Sequence, residues 1–142
     1  MLLVDVNVLI NAFNRGAPRH AEYRQWLEKL GKNSTPFGMS ELVLSSFVRI
    51  ATTPRLFGRP VHVEEAFEFT RVIRSAPACI IVHPGSQHWS IFEDLCRLAR
   101  VSGPRVTDAY LAALAIESGS EWITDDHDFA RFPGLKWRHP LQ

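Results

Sequence analysis

The apolar residues of this chain fall into two patterns: short unbroken blocks, and stripes that recur every three or four positions. The blocks Leu2-Leu3-Val4 and Cys79-Ile80-Ile81-Val82-His83 predict strands, the first buried on both faces. Glu121-Trp122-Ile123-Thr124 and Leu135-Lys136-Trp137 predict two more, and Phe37-Gly38-Met39 a brief extended piece. The stripes predict helices over Asn7–Phe13, His20–Leu30, Val63–Ser75, His88–Val101 and Val106–Ser118. A further helix starts at Ser40, whose hydroxyl suits an N-cap, and stops near Thr52-Thr53-Pro54. Gly31 and Gly119 mark helix ends. The inward positions are Ala66, Phe67, Thr70, Val72 and Ile73 on one helix, and Trp89, Phe92, Leu95, Cys96 and Ala99 on another. Strands alternating with helices imply an α/β fold, a central and mostly parallel sheet with helices on both faces. One domain over residues 1–142 accommodates it.

Composition narrows the class without naming a function. A hydrophobic fraction of 46% and a charged fraction of 22% are ordinary for a globular domain, and 142 residues suffice for a core without disulfides. A net charge of +1 neither announces nor excludes a nucleic-acid partner, since a local arginine patch would be enough. Cys79 and Cys96 have no metal-finger spacing and read as buried thiols in a reducing cytoplasm. The first apolar stretch is too short for an export signal and is broken by Asp5. No apolar run approaches the ~20 residues that span a membrane.

The acidic residues change the picture. Most sit on helices mixed with Arg and Lys and read as solvated faces. Asp5, Glu41, Asp108 and Asp126 do not: Asp5 ends the first strand, Glu41 and Asp108 begin apolar helices, and Asp126 follows the third strong strand. In a right-handed α/β layer, strand C-termini and helix N-termini share one edge. Taken singly, Glu41 and Asp108 would complement helix dipoles and Asp126 would cap a turn. Asp5 resists such a role, because a buried unpaired carboxylate is costly. Together the four form an all-oxygen cluster, a donor set that suits Mg²⁺ or Mn²⁺.

Four segments in this order carry a resemblance: Leu3-Val4-Asp5-Val6-Asn7-Val8-Leu9, Ser40-Glu41-Leu42, Thr107-Asp108-Ala109-Tyr110-Leu111-Ala112, and Ile123-Thr124-Asp125-Asp126-His127-Asp128-Phe129 followed by Arg131-Phe132-Pro133-Gly134-Leu135. The chain resembles PIN-domain ribonucleases over its whole length, and most closely the VapC toxins of VapBC toxin–antitoxin pairs. That resemblance implies a Mg²⁺- or Mn²⁺-dependent endoribonuclease, usually a homodimer, acting on cellular RNA in the cytoplasm and neutralised by a VapB antitoxin. It carries the family's acids onto Asp5, Glu41, Asp108 and Asp126, with Asn7 and Thr124 as supporting polar residues. Asp5, Asp108 and Asp126 are then the expected metal ligands, and Glu41 orients the attacking water or takes its proton. Asp128 is the alternative to Asp126 and otherwise caps the following turn. Arg49, Arg55 and Arg59 are the candidates for gripping the RNA backbone. Two other readings stand beside this one: a haloacid-type phosphatase with Asp5 as nucleophile, and a PIN scaffold without catalysis.

Overall fold

In the computed structural model, which describes residues 1–142, five short strands form one parallel sheet in the order β3-β2-β1-β4-β5. The strands are β1 (Leu2–Val4), β2 (Phe37–Met39), β3 (Cys79–Ile81), β4 (Glu121–Ile123) and β5 (Trp137–Arg138). The helices are α1 (Val6–Phe13), α2 (His20–Lys32), α3 (Glu41–Ala51), α4 (Val63–Arg74), α5 (His88–Ala99) and α6 (Arg105–Glu117), with a 3-10 turn over His127–Arg131. No helix is long and apolar enough to cross a membrane.

β1 is the central strand. Leu3 lies opposite Gly38 on β2 and Trp122 on β4, and Leu3 and Val4 are both fully buried. The connections β1→β2→β3 advance in one direction along the sheet, and β3→β4 returns across it. Right-handed crossovers then place α1–α4 on one face and α5–α6 on the other. α1 packs on α2 and α3, and α6 packs on α5 and β4. The alanines of α6 are what allow this close approach: Ala109, Ala112, Ala113 and Ala115 are all buried.

The expected architecture is present, with informative differences. The brief piece at Phe37–Met39 is a full member of the sheet, buried along its length between β1 and β3. Gly38 is required by that position, because a Cβ there would lie 2.8 Å from Val82 Cγ2 and 3.0 Å from Leu3 Cδ1. Gly31 does not end its helix; α2 runs on to Lys32. On α4 the buried positions are Ala66, Thr70 and Ile73, while Phe67 and Val72 face outward. On α5, Trp89 is 62% exposed and the buried residues are His88 and Leu95. Both helices cover their face of the core with a narrower stripe than their apolar content suggests.

Candidate active site

Because every strand is parallel, all five C-terminal ends lie along one edge, and the α6 N-terminus joins them there. Asp5 follows β1 directly and caps α1, its Oδ1 accepting the Val6 N–H at 2.7 Å. Only 4% of Asp5 is exposed. Its Oδ2 accepts from the Thr124 hydroxyl at 2.7 Å, from a residue that is itself fully buried after β4. The same hydroxyl oxygen accepts from Asn7 Nδ2 and from the Asp126 N–H, each at 3.0 Å. One side chain therefore fixes the Asp5 carboxylate, the Asn7 amide and the start of the Asp126 loop.

Burial dominates the electrostatics of Asp5. Desolvation pushes its carboxyl up to about 7, against the opposing hydrogen bonds from Thr124 and Val6. The charges that act on it are Asp108 and Asp125, which push the same way, and no cation is among them. Asp108, in the first turn of α6, is also raised, first by burial and then by Asp126. Asp5, Asp108, Asp125 and Asp126 thus share a region of negative potential.

The cations collect on one flank. Arg105 Nη1 lies 3.7 Å from Asp108 Oδ2 and 3.9 Å from Asp126 Oδ2, and its other terminal nitrogen bonds to Asp128. Arg131 Nη2 lies 3.6 Å from Asp128 Oδ1. The Arg105 hydrogen bond holds the Asp128 carboxyl below the ordinary carboxylate range. The expected roles of Asp126 and Asp128 change here. Asp126 is the residue that caps the 3-10 turn, its Oδ1 accepting the Asp128 N–H at 2.9 Å, and its charge acts on Asp108. Asp128 is exposed and committed to the two arginines.

Glu41 stands on the same edge, capped into α3 by Ser40, whose Oγ accepts the Leu42 N–H at 3.2 Å. Its carboxylate is turned to Arg74 at 3.1 Å and lies 4.0 Å from His83. Asp108 links Asp5 to Asp126, its charge acting on the first and feeling that of the second, and Glu41 is set apart from them, 56% exposed, on the β2–β3 side. No three Asp, Glu, His or Cys side chains stand close enough together to hold a metal ion as they are placed here. The rim donors are carboxylate oxygens throughout, with neither thiol nor imidazole among them, which fits a hard divalent cation rather than zinc.

The expected backbone grip falls elsewhere. Arg49 is in the last turn of α3, eight residues from Glu41 and so about 12 Å along the helix axis. Arg55 and Arg59 lie beyond that end. Arg59 is held bidentately by Glu65, at 2.8 and 3.1 Å, and lines a cavity of about 690 Å³ between α1, α2 and α4 together with Phe37 and Pro77. Phe37 begins β2 and Pro77 precedes β3, so this cavity opens at the edge opposite the acids. The cations beside the acids are Arg74, Arg105 and Arg131. Arg105 had a legible signal, three residues before Asp108 on one helix face.

The whole chain finds counterparts among known proteins. A family model for the PIN domain matches residues 2–135. Ribonuclease VapC43 of Mycobacterium tuberculosis is 40% identical over 141 residues, covering 99% of this chain and 96% of that protein. Among solved structures, VapBC2 from Rickettsia felis bound to a promoter DNA fragment matches with a TM-score of 0.69 at 19% identity, over 97% of each chain. M. tuberculosis VapC20, a sarcin-ricin loop cleaving toxin, matches with a TM-score of 0.68 at 18% identity, over 96% of this chain and 99% of that one. The acids that the parallel sheet brings to one edge are therefore set in a known frame: this chain belongs to the PIN-domain family, among its VapC-type members.

Proposed function

We propose that this protein is a Mg²⁺- or Mn²⁺-dependent endoribonuclease toxin that cleaves cellular RNA and is neutralised by a VapB-type antitoxin. The full-length relatives named VapC ribonucleases support the nuclease, and the VapBC complexes among the structural neighbours support the antitoxin. The observation that carries the cation is Asp5, a buried carboxylate with two anionic neighbours and no cation acting on it. A buried charge of that kind is stable only when protonated or neutralised by a positive partner. A phosphatase reading with Asp5 as nucleophile is weaker, since Oδ1 and Oδ2 are both engaged by donors and Asn7 stands two residues on where a second acid would act.

Asp5, Asp108 and Asp126 would hold the ion, which supplies charge neutralisation at the phosphate and activation of the attacking and leaving oxygens. The chain does the rest. The Thr124 hydroxyl keeps the Asp5 carboxylate in one orientation, and Asn7 fixes that hydroxyl. Glu41, freed from Arg74 by the incoming phosphates, accepts the proton of the attacking water. Arg105 and Arg131 on one side of the acids, and Arg74 on the other, hold the flanking phosphates and offset the repulsion of an acidic rim.

The test is cleavage of total cellular RNA by the purified protein with Mn²⁺ and with chelator, mapped by 5′-end sequencing. Discrete new ends that vanish with chelator and in Asp5→Asn and Asp108→Asn are expected. The same ends in all samples would refute the reading.

A further inference from the structure

Asp125 lies between two residues of the acidic rim, yet it faces the other way. Thr124 turns to Asp5 and Asp126 to Arg105, while Asp125 Oδ2 accepts from Asn11 Nδ2 at 2.8 Å and from the Tyr23 hydroxyl at 3.1 Å. Tyr23, on α2, is only 4% exposed. Its oxygen also lies 3.3 Å from His139 Nε2, in the segment after β5.

The direction of this chain of bonds follows from its ends. The Leu141 backbone N–H donates to His139 Nδ1 at 3.1 Å, so the neutral ring carries its proton on Nε2. Nε2 therefore donates to the Tyr23 oxygen, and the Tyr23 hydroxyl must donate to Asp125. Burial and the Asp125 charge push the Tyr23 phenol up to about 12, so it keeps that proton over the working range. On the other arm, the Asn11 backbone carbonyl accepts from His20 Nδ1 at 2.8 Å, which ties α1 to the first residue of α2. The Tyr23 donor is thus anchored from behind by His139, and the Asn11 donor stands on a backbone that His20 ties down. An Asp here is not explained by its effect on Asp5, whose carboxyl it pushes further up.

Resting on the nuclease reading above, we infer that Tyr23 and Asp125 are positioning residues: α1, α2 and the segment after β5 clamp Asp125, and the clamp holds Thr124 and Asp126 at the distance from Asp5 that the reaction needs. The site is then assembled from the rim together with α1, α2 and the segment after β5 rather than from the rim alone. Neither residue touches substrate; each acts through the backbone of residues 124–126.

Two readouts test this on the intact protein. Tyr23→Phe removes one oxygen and keeps the ring, and Asp125→Ala removes the acceptor. Each should lower kcat about tenfold with KM within about twofold, the size expected for losing a hydrogen bond to a charged acceptor. In each, amide exchange at residues 124–126 should speed up about tenfold while β1 and α6 stay as protected as in the parent. Asp125→Asn keeps an acceptor oxygen for both donors and should restore kcat to within about threefold. Parent kcat and parent exchange in Tyr23→Phe and Asp125→Ala would overturn the inference. So would exchange that rises equally throughout the protein, or an Asp125→Asn variant as impaired as Asp125→Ala. A parent protein that cuts no RNA, with protection at 124–126 still dependent on Tyr23, would remove the nuclease reading and leave the clamp standing.

Discussion

At the β1 end of the acidic rim, Asp5 is sealed from water, bonded to Thr124 and Val6, and pushed up to about 7. After the neighbouring strand β4, Asp128 is exposed, paired with Arg105 and Arg131, and held below the ordinary carboxylate range. The two side chains are the same chemical group on the same edge of the same sheet. What separates them is the neighbour: desolvation without a cation at Asp5, a guanidinium at Asp128. The rim therefore has a flank satisfied by the chain itself and a flank whose charge calls for something from outside. This asymmetry is a better guide to chemistry than the number of acids.

The largest expected effect comes from erasing the unsatisfied flank. Asp5→Asn should abolish RNA cleavage, and it should also reshape the pH dependence of stability. The folded pKa of Asp5 lies above its unfolded value of 3.8, so the protonated carboxyl favours the fold. That contribution is full below about pH 4 and is lost as pH rises through about 7. Chemical denaturation without divalent ions should show the parent losing stability across this window, by at most about 4 kcal/mol. In Asp5→Asn that loss should be absent, leaving the variant more stable than the parent at pH 8.

Thr124→Val attacks the hub that joins the two flanks. It keeps the shape but leaves Asp5 Oδ2, Asn7 Nδ2 and the Asp126 N–H without their partner. Urea unfolding should show a loss of about 2–3 kcal/mol at neutral pH, together with loss of cleavage. Gly38→Ala, in the sheet and away from the rim, should cost about 1–3 kcal/mol through crowding of Leu3 and Val82. Cleavage by the folded fraction should remain.

The satisfied flank should respond differently. Arg105→Gln should leave stability nearly unchanged, since the arginine and its partners all reach solvent. It should raise KM about tenfold, the loss of about 1.4 kcal/mol of binding, and reduce the salt dependence of RNA binding by about one charge. Arg59→Ala, at the opposite edge, should leave cleavage within about twofold, a change below about 0.5 kcal/mol. Equal effects of Arg105→Gln and Arg59→Ala on KM would place the RNA contact outside the rim.

These contrasts also explain what could be read from the residues in order. Asp5, Glu41 and Asp108 stood out because each lies beside apolar residues at a strand or helix end, whereas Asp126, inside the polar stretch Thr124–Asp128, stood out only by its place after the third strong strand. The central place of β1 was legible from Leu2-Leu3-Val4, which has no polar face. β2 was faint because Phe37-Gly38-Met39 is three residues long and contains a glycine, and its need for glycine arises only from Leu3 and Val82 across the sheet. The outward turn of Trp89 and Val72 was hidden because a helix stripe shows spacing and not which arc meets the core. The cations of the rim were misplaced for a similar reason: Arg49, Arg55 and Arg59 follow Glu41 in sequence, but a helix carries them to the far edge. Tyr23, Asn11 and His139 gave no signal at all, since Tyr23 and Asn11 meet Asp125, and His139 meets Tyr23, across about a hundred residues or more.

The most direct test of the central claim is a ¹³C NMR titration of the Asp5 carboxyl, assigned by comparison with Asp5→Asn, with and without Mg²⁺. The account predicts a midpoint near 7 in the absence of the ion, and a clear downward shift when Mg²⁺ is added. A midpoint near the ordinary value of 3.8, or one that does not move with Mg²⁺, would contradict it.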